Sequence, residues 1–196
     1  MRLFLFFALL LAPILWLISL YNTLVKLRNR FKNSYAQIDV QLNRRYDLIP
    51  NLVETAKGYM QHERETLAAV ISARNTAVSS NSIAANHPED ATAVQNVIRA
   101  ESQLSATLTK FSALVENYPE LKADNTLLML MEELSSTENK VSFARQAYND
   151  AVMSYNTYRE QFPNNLIAVN FNFKAAQLFE IADDTMRQPV RVSFTS

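Results

Sequence analysis

A chain of 196 residues that holds a single glycine, Gly58, has few architectures open to it. Tight β-hairpins and phosphate-cradling loops draw on glycine for positive φ and close backbone approach. Average usage is about 7%, so Gly-rich phosphate loops and type I′ hairpins are excluded and β-rich folds are disfavoured. Proline supplies the punctuation instead. Apart from Pro13, prolines stand at 50, 88, 119, 163 and 189, and between them apolar residues recur at helical spacing. The expected fold class is all-α: an N-terminal transmembrane helix followed by an antiparallel, long-helix bundle of the four-helix type. The expected division is an anchor over residues 1–23, a bundle over 24–183 and a tail over 184–196.

The anchor is LFLFFALLLAPILWLISLY, residues 3–21, which carries no charge. At 1.5 Å per residue its helix would be about 28 Å long, close to the hydrocarbon thickness of a bilayer. Pro13 is tolerated in such a helix, and Trp16 and Tyr21 suit an interface. A cleaved signal peptide is the rival reading, but no A-x-A site follows and the helical pattern continues past the run. Lys26, Arg28, Arg30 and Lys32 follow the span, against Arg2 and the amino terminus before it. The positive-inside rule then favours a cytoplasmic bundle tethered to the membrane by a single pass. The same four cations are candidates for contact with anionic headgroups, or else a solvated juxtamembrane face.

From the membrane onward, Leu24, Leu27, Phe31, Tyr35, Ile38, Leu42, Tyr46 and Ile49 step by three or four along one helix face. Asp47 is expected to cap a second helix with Pro50 in its first turn, and the pattern leaves open whether the chain reverses or only kinks there. That second stripe runs Leu52, Ala56, Tyr59, Met60, Leu67, Val70, Ile71 and Arg74. A third helix is expected to start at Pro88 and to bury Val94, Val97, Ile98, Leu104, Leu108, Phe111 and Val115. The longest pattern, residues 124–161, corresponds to a rod of about 57 Å. Spacing near 3.5 implies coiled-coil-like packing. A short helix is expected over residues 174–182, and the tail VRVSF alternates like a short strand or is disordered.

Little here points to chemistry. Cysteine is absent, acidic and basic residues balance at 19 each, and no basic stripe is interleaved with aromatics, so a nucleic-acid role is disfavoured. His62 and His87 lack zinc-ligand spacing, and no G-x-S-x-G elbow occurs. No catalytic residue, metal or cofactor is expected. Asp39, Arg44, Arg45 and Asp47 flank the first stripe and read as helix-edge residues that are candidates for partner contact. Gly58 reads as a mid-helix glycine, where close helix approach or a partner's backbone would explain it. Glu101, Glu138 and Arg145 intrude on apolar stripes. Folding the third and fourth helices about Leu121 predicts a buried or half-buried Glu101 to Arg145 pair, with two solvated edge residues as the alternative.

The segment YNTLVKLRNRFKNSYAQIDVQLNRRYDLIPNLVETAKGYMQHERETLAAVISAR closely resembles the signature region of the LemA family. The likeness continues through VENYPELKAD, ELSSTENKVSFARQAYNDAVMSYN and REQFP. Ile38 to Leu42, Arg44, Arg45 and Asp47 to Leu52 match the signature without gaps. The resemblance implies a bacterial single-pass membrane protein with a cytoplasm- or periplasm-facing antiparallel bundle. It implies no established enzymatic activity, supplies no catalytic residues, and points by gene neighbourhood to membrane quality control. The function expected is a membrane-anchored, non-catalytic interaction scaffold that self-associates and has membrane lipid and a membrane protein as partners. A membrane-tethered small-ligand sensor or a hydrolase with an unfamiliar site are the alternatives. A sensor would need a separate output partner, because the residues before the span cannot hold an output domain.

Overall fold

The computed structural model describes residues 2–180, with side chains from Leu11 onward. Helix α1 (Arg2–Lys57) is one unbroken helix of 56 residues, about 84 Å at 1.5 Å per residue. Phe31, Tyr35, Ile38, Leu42, Arg45, Ile49, Leu52 and Ala56 alternate steps of four and three along it, and all are buried. That seam is why the helix holds its course through the bundle.

Pro50 neither reverses nor ends α1. Its missing N–H leaves the carbonyl of Tyr46 without a helical donor, and Arg74 from the neighbouring helix donates its Nε to that oxygen at 3.2 Å. Asp47 is therefore a mid-helix residue and caps nothing, and its carboxylate faces the Arg74 guanidinium at 4.0 Å. Replacing Arg74 with methionine is expected to cost about 1–2 kcal/mol by stranding this half-buried carbonyl. In a Pro50→Ala background, where residue 50 regains its N–H, the same replacement should cost much less. Urea unfolding of the four chains measures the difference, and strictly additive costs would mean that the two residues do not share this oxygen.

The reversal comes later, over residues 58–63, where Tyr59 and Met60 donate to the Ala56 carbonyl at 3.1 and 2.9 Å. Gly58 is the first residue beyond α1, with no positive φ, and a Cβ placed on it would meet nothing within 4 Å. It marks a helix end and not a close approach. Helix α2 (Arg64–Asn86) then runs back, and a turn with Pro88 buried leads into α3 (Ala91–Val115). The start of α3 is set by Asp90, whose Oδ1 accepts from Thr92 N at 2.8 Å, and not by Pro88. A single turn, α4 (Pro119–Lys122), precedes α5 (Asn125–Glu160), which Asp124 caps by accepting from Thr126 N and Leu127 N at 2.8 and 2.9 Å. Helix α6 (Asn164–Asn170) follows a turn, residues 171 and 172 turn again with Asn172 at a φ of 55°, and residues 173–180 run without regular secondary structure.

These elements make an all-α, four-helix-type bundle, and no strand occurs among the described residues. Helix α1 packs most extensively on α5, α2 on α3, and α1 on α2. Partners across the α1–α5 seam run in opposite order: Phe31 meets Tyr155, Tyr35 meets Tyr148 and Arg44 meets Glu133, so the two helices are antiparallel. The short helix expected over 174–182 is not formed in its described part. Non-helical chain lies there instead, because side chains of α5 take up its backbone groups at Lys174, Ala176, Gln177 and Phe179. The tail VRVSF lies outside the described residues.

Among the described residues no helix is long and apolar enough to cross a membrane. Much of the run expected to span, residues 3–21, falls where side chains are outside the described set. From Leu11 onward Ile14, Leu15, Trp16, Leu17 and Ile18 are all about half or more exposed. Helix α1 also passes without interruption across the expected boundary at residues 23 and 24.

Candidate functional site

Halfway along the bundle, polar residues of α1 reach all three of the other long helices. Arg45 and Glu101 are 3% and 1% exposed, and Arg45 Nη1 donates to Glu101 Oε2 at 2.9 Å. The Tyr46 hydroxyl donates to the other carboxylate oxygen, Oε1, at 2.6 Å. Arg45 Nη2 donates to Ser105 Oγ at 3.1 Å and lies 3.9 Å from Glu138 of α5. About two to three turns earlier on α1, the Tyr35 hydroxyl donates to Asn81 Oδ1 at 3.2 Å, and Asn81 Nδ2 donates to Asp39 Oδ1 at 2.6 Å. Asp39 also accepts from Asn43 at 2.9 Å. On the outer face Arg44 bridges to Glu133.

Burial pushes the Glu101 carboxyl above its ordinary range, against the opposing pull of the Arg45 charge and the Tyr46 hydrogen bond. Burial likewise pushes the hydroxyls of Tyr35, Tyr46 and Tyr148 far up, so they remain neutral donors. Both oxygens of Glu101 are committed, one to Arg45 and one to Tyr46. The set is therefore arranged as a closed interhelical tie and not as an open acid or base. Its route to solvent is a cleft of about 190 Å³ between α3 and α5, lined by Arg45, Ser105, Thr109, Ser135 and Glu138 among others.

A second arrangement sits nearer the amino-terminal end of the bundle. Helix α5 carries Tyr-Asn twice, at 148–149 and 155–156. Tyr148 and Tyr155 donate to the carbonyls of Gln177 and Lys174 at 2.9 and 2.8 Å. Each asparagine holds one extended residue at both ends: Asn156 exchanges hydrogen bonds with N and O of Ala176 at 3.0 and 2.9 Å, and Asn149 with those of Phe179 at 2.8 and 3.3 Å. Seven helical residues rise about 10.5 Å and three extended residues about 9.9 Å, so the repeats match. The result is a strap clamped on a helix.

A family model described as the LemA family matches residues 34–194. The chain belongs to the LemA family. It is 23% identical to Protein LemA of Metamycoplasma hominis over 83% of this chain and 69% of that protein. It is also 23% identical to Magnetosome protein MamQ 2 of Paramagnetospirillum magneticum, over 84% of this chain and 66% of that one. A MamQ of Magnetospirillum gryphiswaldense is 22% identical over 87% and 68%. The chain thus spans about two thirds of the length of these relatives.

Seen on the LemA bundle, the signature residues expected at the helix edge divide. Arg44 and Asp47 are exposed as expected, and Asp39 is half-buried. Arg45 is not an edge residue, since it occupies a core position of the heptad beside Tyr46. The 3–4 alternation from Tyr35 to Ala56 is the signal that finds it; placing Tyr46 in the stripe displaces it. Glu101 is buried as expected, but its partner is Arg45 of α1 and not Arg145. Arg145 instead donates Nε to the Phe179 carbonyl at 3.4 Å and lays its guanidinium over the Phe179 ring, 5.3 Å from its centre. The strap occupies the place from which Arg145 would reach inward. Of the four cations that follow the apolar run, Lys32 pairs with Glu89 at 2.9 Å and Arg28 lies over the Phe173 ring at 4.9 Å, while Lys26 and Arg30 are exposed.

Proposed function

We propose that this LemA-family chain is a membrane-anchored, non-catalytic scaffold that self-associates and offers helix faces to membrane-protein partners. The observation that carries the reading is the continuity of α1. One unbroken helix leads from an apolar, exposed run at Leu11 to Ile18 into the centre of the bundle. Residues 3–21 act as a single-pass anchor in the bacterial inner membrane, and the four cations that follow put the bundle on the cytoplasmic side. The far end of the bundle supports partner docking: a groove of about 1070 Å³ between α1 and α2 has Val53, Met60, Leu67 and Ile71 on its walls and Lys57 and Arg64 at its rim. A groove with an apolar floor and polar rim is suited to a partner helix. The doubly occupied Glu101 supports a structural task over a catalytic one. Membrane quality control is the process to which the family resemblance points.

A small-ligand sensor is the second reading, favoured by the hydroxyl-lined cleft beside Arg45. At about 190 Å³ it is smaller than the roughly 300–1,000 Å³ of most ligand sites. Membrane extraction with alkaline carbonate, followed by light scattering in detergent, tests the leading reading. The full chain is expected to stay with the membrane and to scatter as a defined multiple of 22.3 kDa. Release by carbonate would overturn the anchor, and a monomer mass would overturn self-association.

A further inference from the structure

We propose that residues 162–171, helix α6 with its flanking turns, form a second membrane contact that lies in the interfacial layer of the bilayer beside the anchor. The proposal rests on the reading of residues 3–21 as that anchor. Phe162, Leu166, Val169 and Phe171 are 80%, 55%, 80% and 61% exposed. No charged residue occurs from Gln161 to Phe173, and the polar positions among them are asparagines with one glutamine. A surface facing water seldom gathers large apolar side chains while omitting charge.

Position identifies the occupant as lipid. Helix α6 packs beside the last turn of the apolar run, sharing a groove of about 520 Å³ with Leu17, Ile18 and Tyr21. The Tyr21 ring meets Phe171 edge-on at 4.9 Å and Phe173 at 5.6 Å. The patch is therefore level with the point where α1 leaves the hydrocarbon. Cations begin directly beyond it: Lys26, Arg30 and Lys174 are exposed, and Arg28 caps the Phe173 ring. From Tyr21 to Lys26 the helix rises about 7.5 Å, comparable with the roughly 5–8 Å of one headgroup layer. An apolar tip followed by a cationic collar complements acyl chains followed by anionic headgroups. The contact fixes the rotation of α1 in the membrane and the tilt of the bundle above it.

The chain has no cysteine, so single-cysteine variants of the full protein can carry one environment-sensitive fluorophore each. The protein is reconstituted in vesicles of phosphatidylcholine and phosphatidylglycerol, with lipids brominated at shallow or deep acyl positions as quenchers. Labels at Leu15→Cys, Val169→Cys and Phe143→Cys report the span, the patch and an outlying exposed site. The expected result is strong quenching at position 169 by shallow bromines, quenching at position 15, and none at position 143. Quenching at 15 with a water-exposed label at 169 overturns the second contact and leaves the anchor standing. A blue-shifted label at 169 that no lipid quenches means that a protein surface covers the patch, which also overturns it. Loss of quenching at both 15 and 169 overturns the anchor and the contact together.

Discussion

Truncating Glu101 to alanine lowers the stability of this bundle by about 3–5 kcal/mol, because it strands the Arg45 guanidinium in a site only 3% exposed. At about 2–4 °C per kcal/mol for a domain of this size, the melting temperature falls by roughly 10 °C. Arg45→Met is expected to cost a similar amount by leaving Glu101 buried without its countercharge. The paired replacement, Arg45→Met with Glu101→Leu, should recover most of the loss, since an apolar pair carries no desolvation penalty. A double variant as unstable as the sum of the singles would show that the pair is not coupled. The single Arg45→Met chain also has a defined pH dependence. Burial already raises the Glu101 carboxyl, and loss of the guanidinium removes a charge that lowers it. A group raised in the folded state contributes stability that is present below its unfolded value and is lost as pH rises through the folded one. The deficit of Arg45→Met relative to the parent chain should therefore shrink as pH falls from neutral toward the ordinary carboxylate range.

The second large effect is local. Phe179 is fully buried against Tyr35 and beneath Arg145, and Phe179→Ala removes a contact set that costs about 3–5 kcal/mol in a core that cannot relax. The strap, however, can leave α5 as a unit, so the measured cost is capped by the free energy of docking it. Hydrogen exchange separates the two outcomes. The Ala176 and Phe179 amides, held by Asn156 and Asn149, should lose their protection, while amides of α2 and α3 keep theirs. Uniform loss of protection across all helices would mean that the strap is part of the global folding unit.

Much of the helical order was legible because an α-helix repeats locally. Every position of the first stripe from Leu24 to Ile49 is buried except Leu27, which is half-buried, and every position of the third stripe is buried. The longest pattern was legible from residue 124 onward, and there the structure places the Asp124 cap, whose acceptor and donors lie within three residues. Pro50 misled because its local meaning is a helix start. What lets it stand mid-helix is a donor 24 residues away, Arg74, which no local window contains. The Glu101 to Arg145 pairing failed in the same way. Both residues stand out in the sequence as polar intruders on apolar stripes, but the contact depends on which helices touch. Glu101 faces α1, while Arg145 is taken up by the strap.

The sequence by itself determined the all-helical class, most of the buried face of the first and third stripes and, through the LemA signature, the family, since periodicity is written within a few turns of chain. Only the tertiary structure decided where the chain reverses, which charges share the core, and how the strap is clamped. Those outcomes depend on hydrogen bonds between residues 20 to 60 positions apart, where one carbonyl or guanidinium has several possible partners and packing selects one.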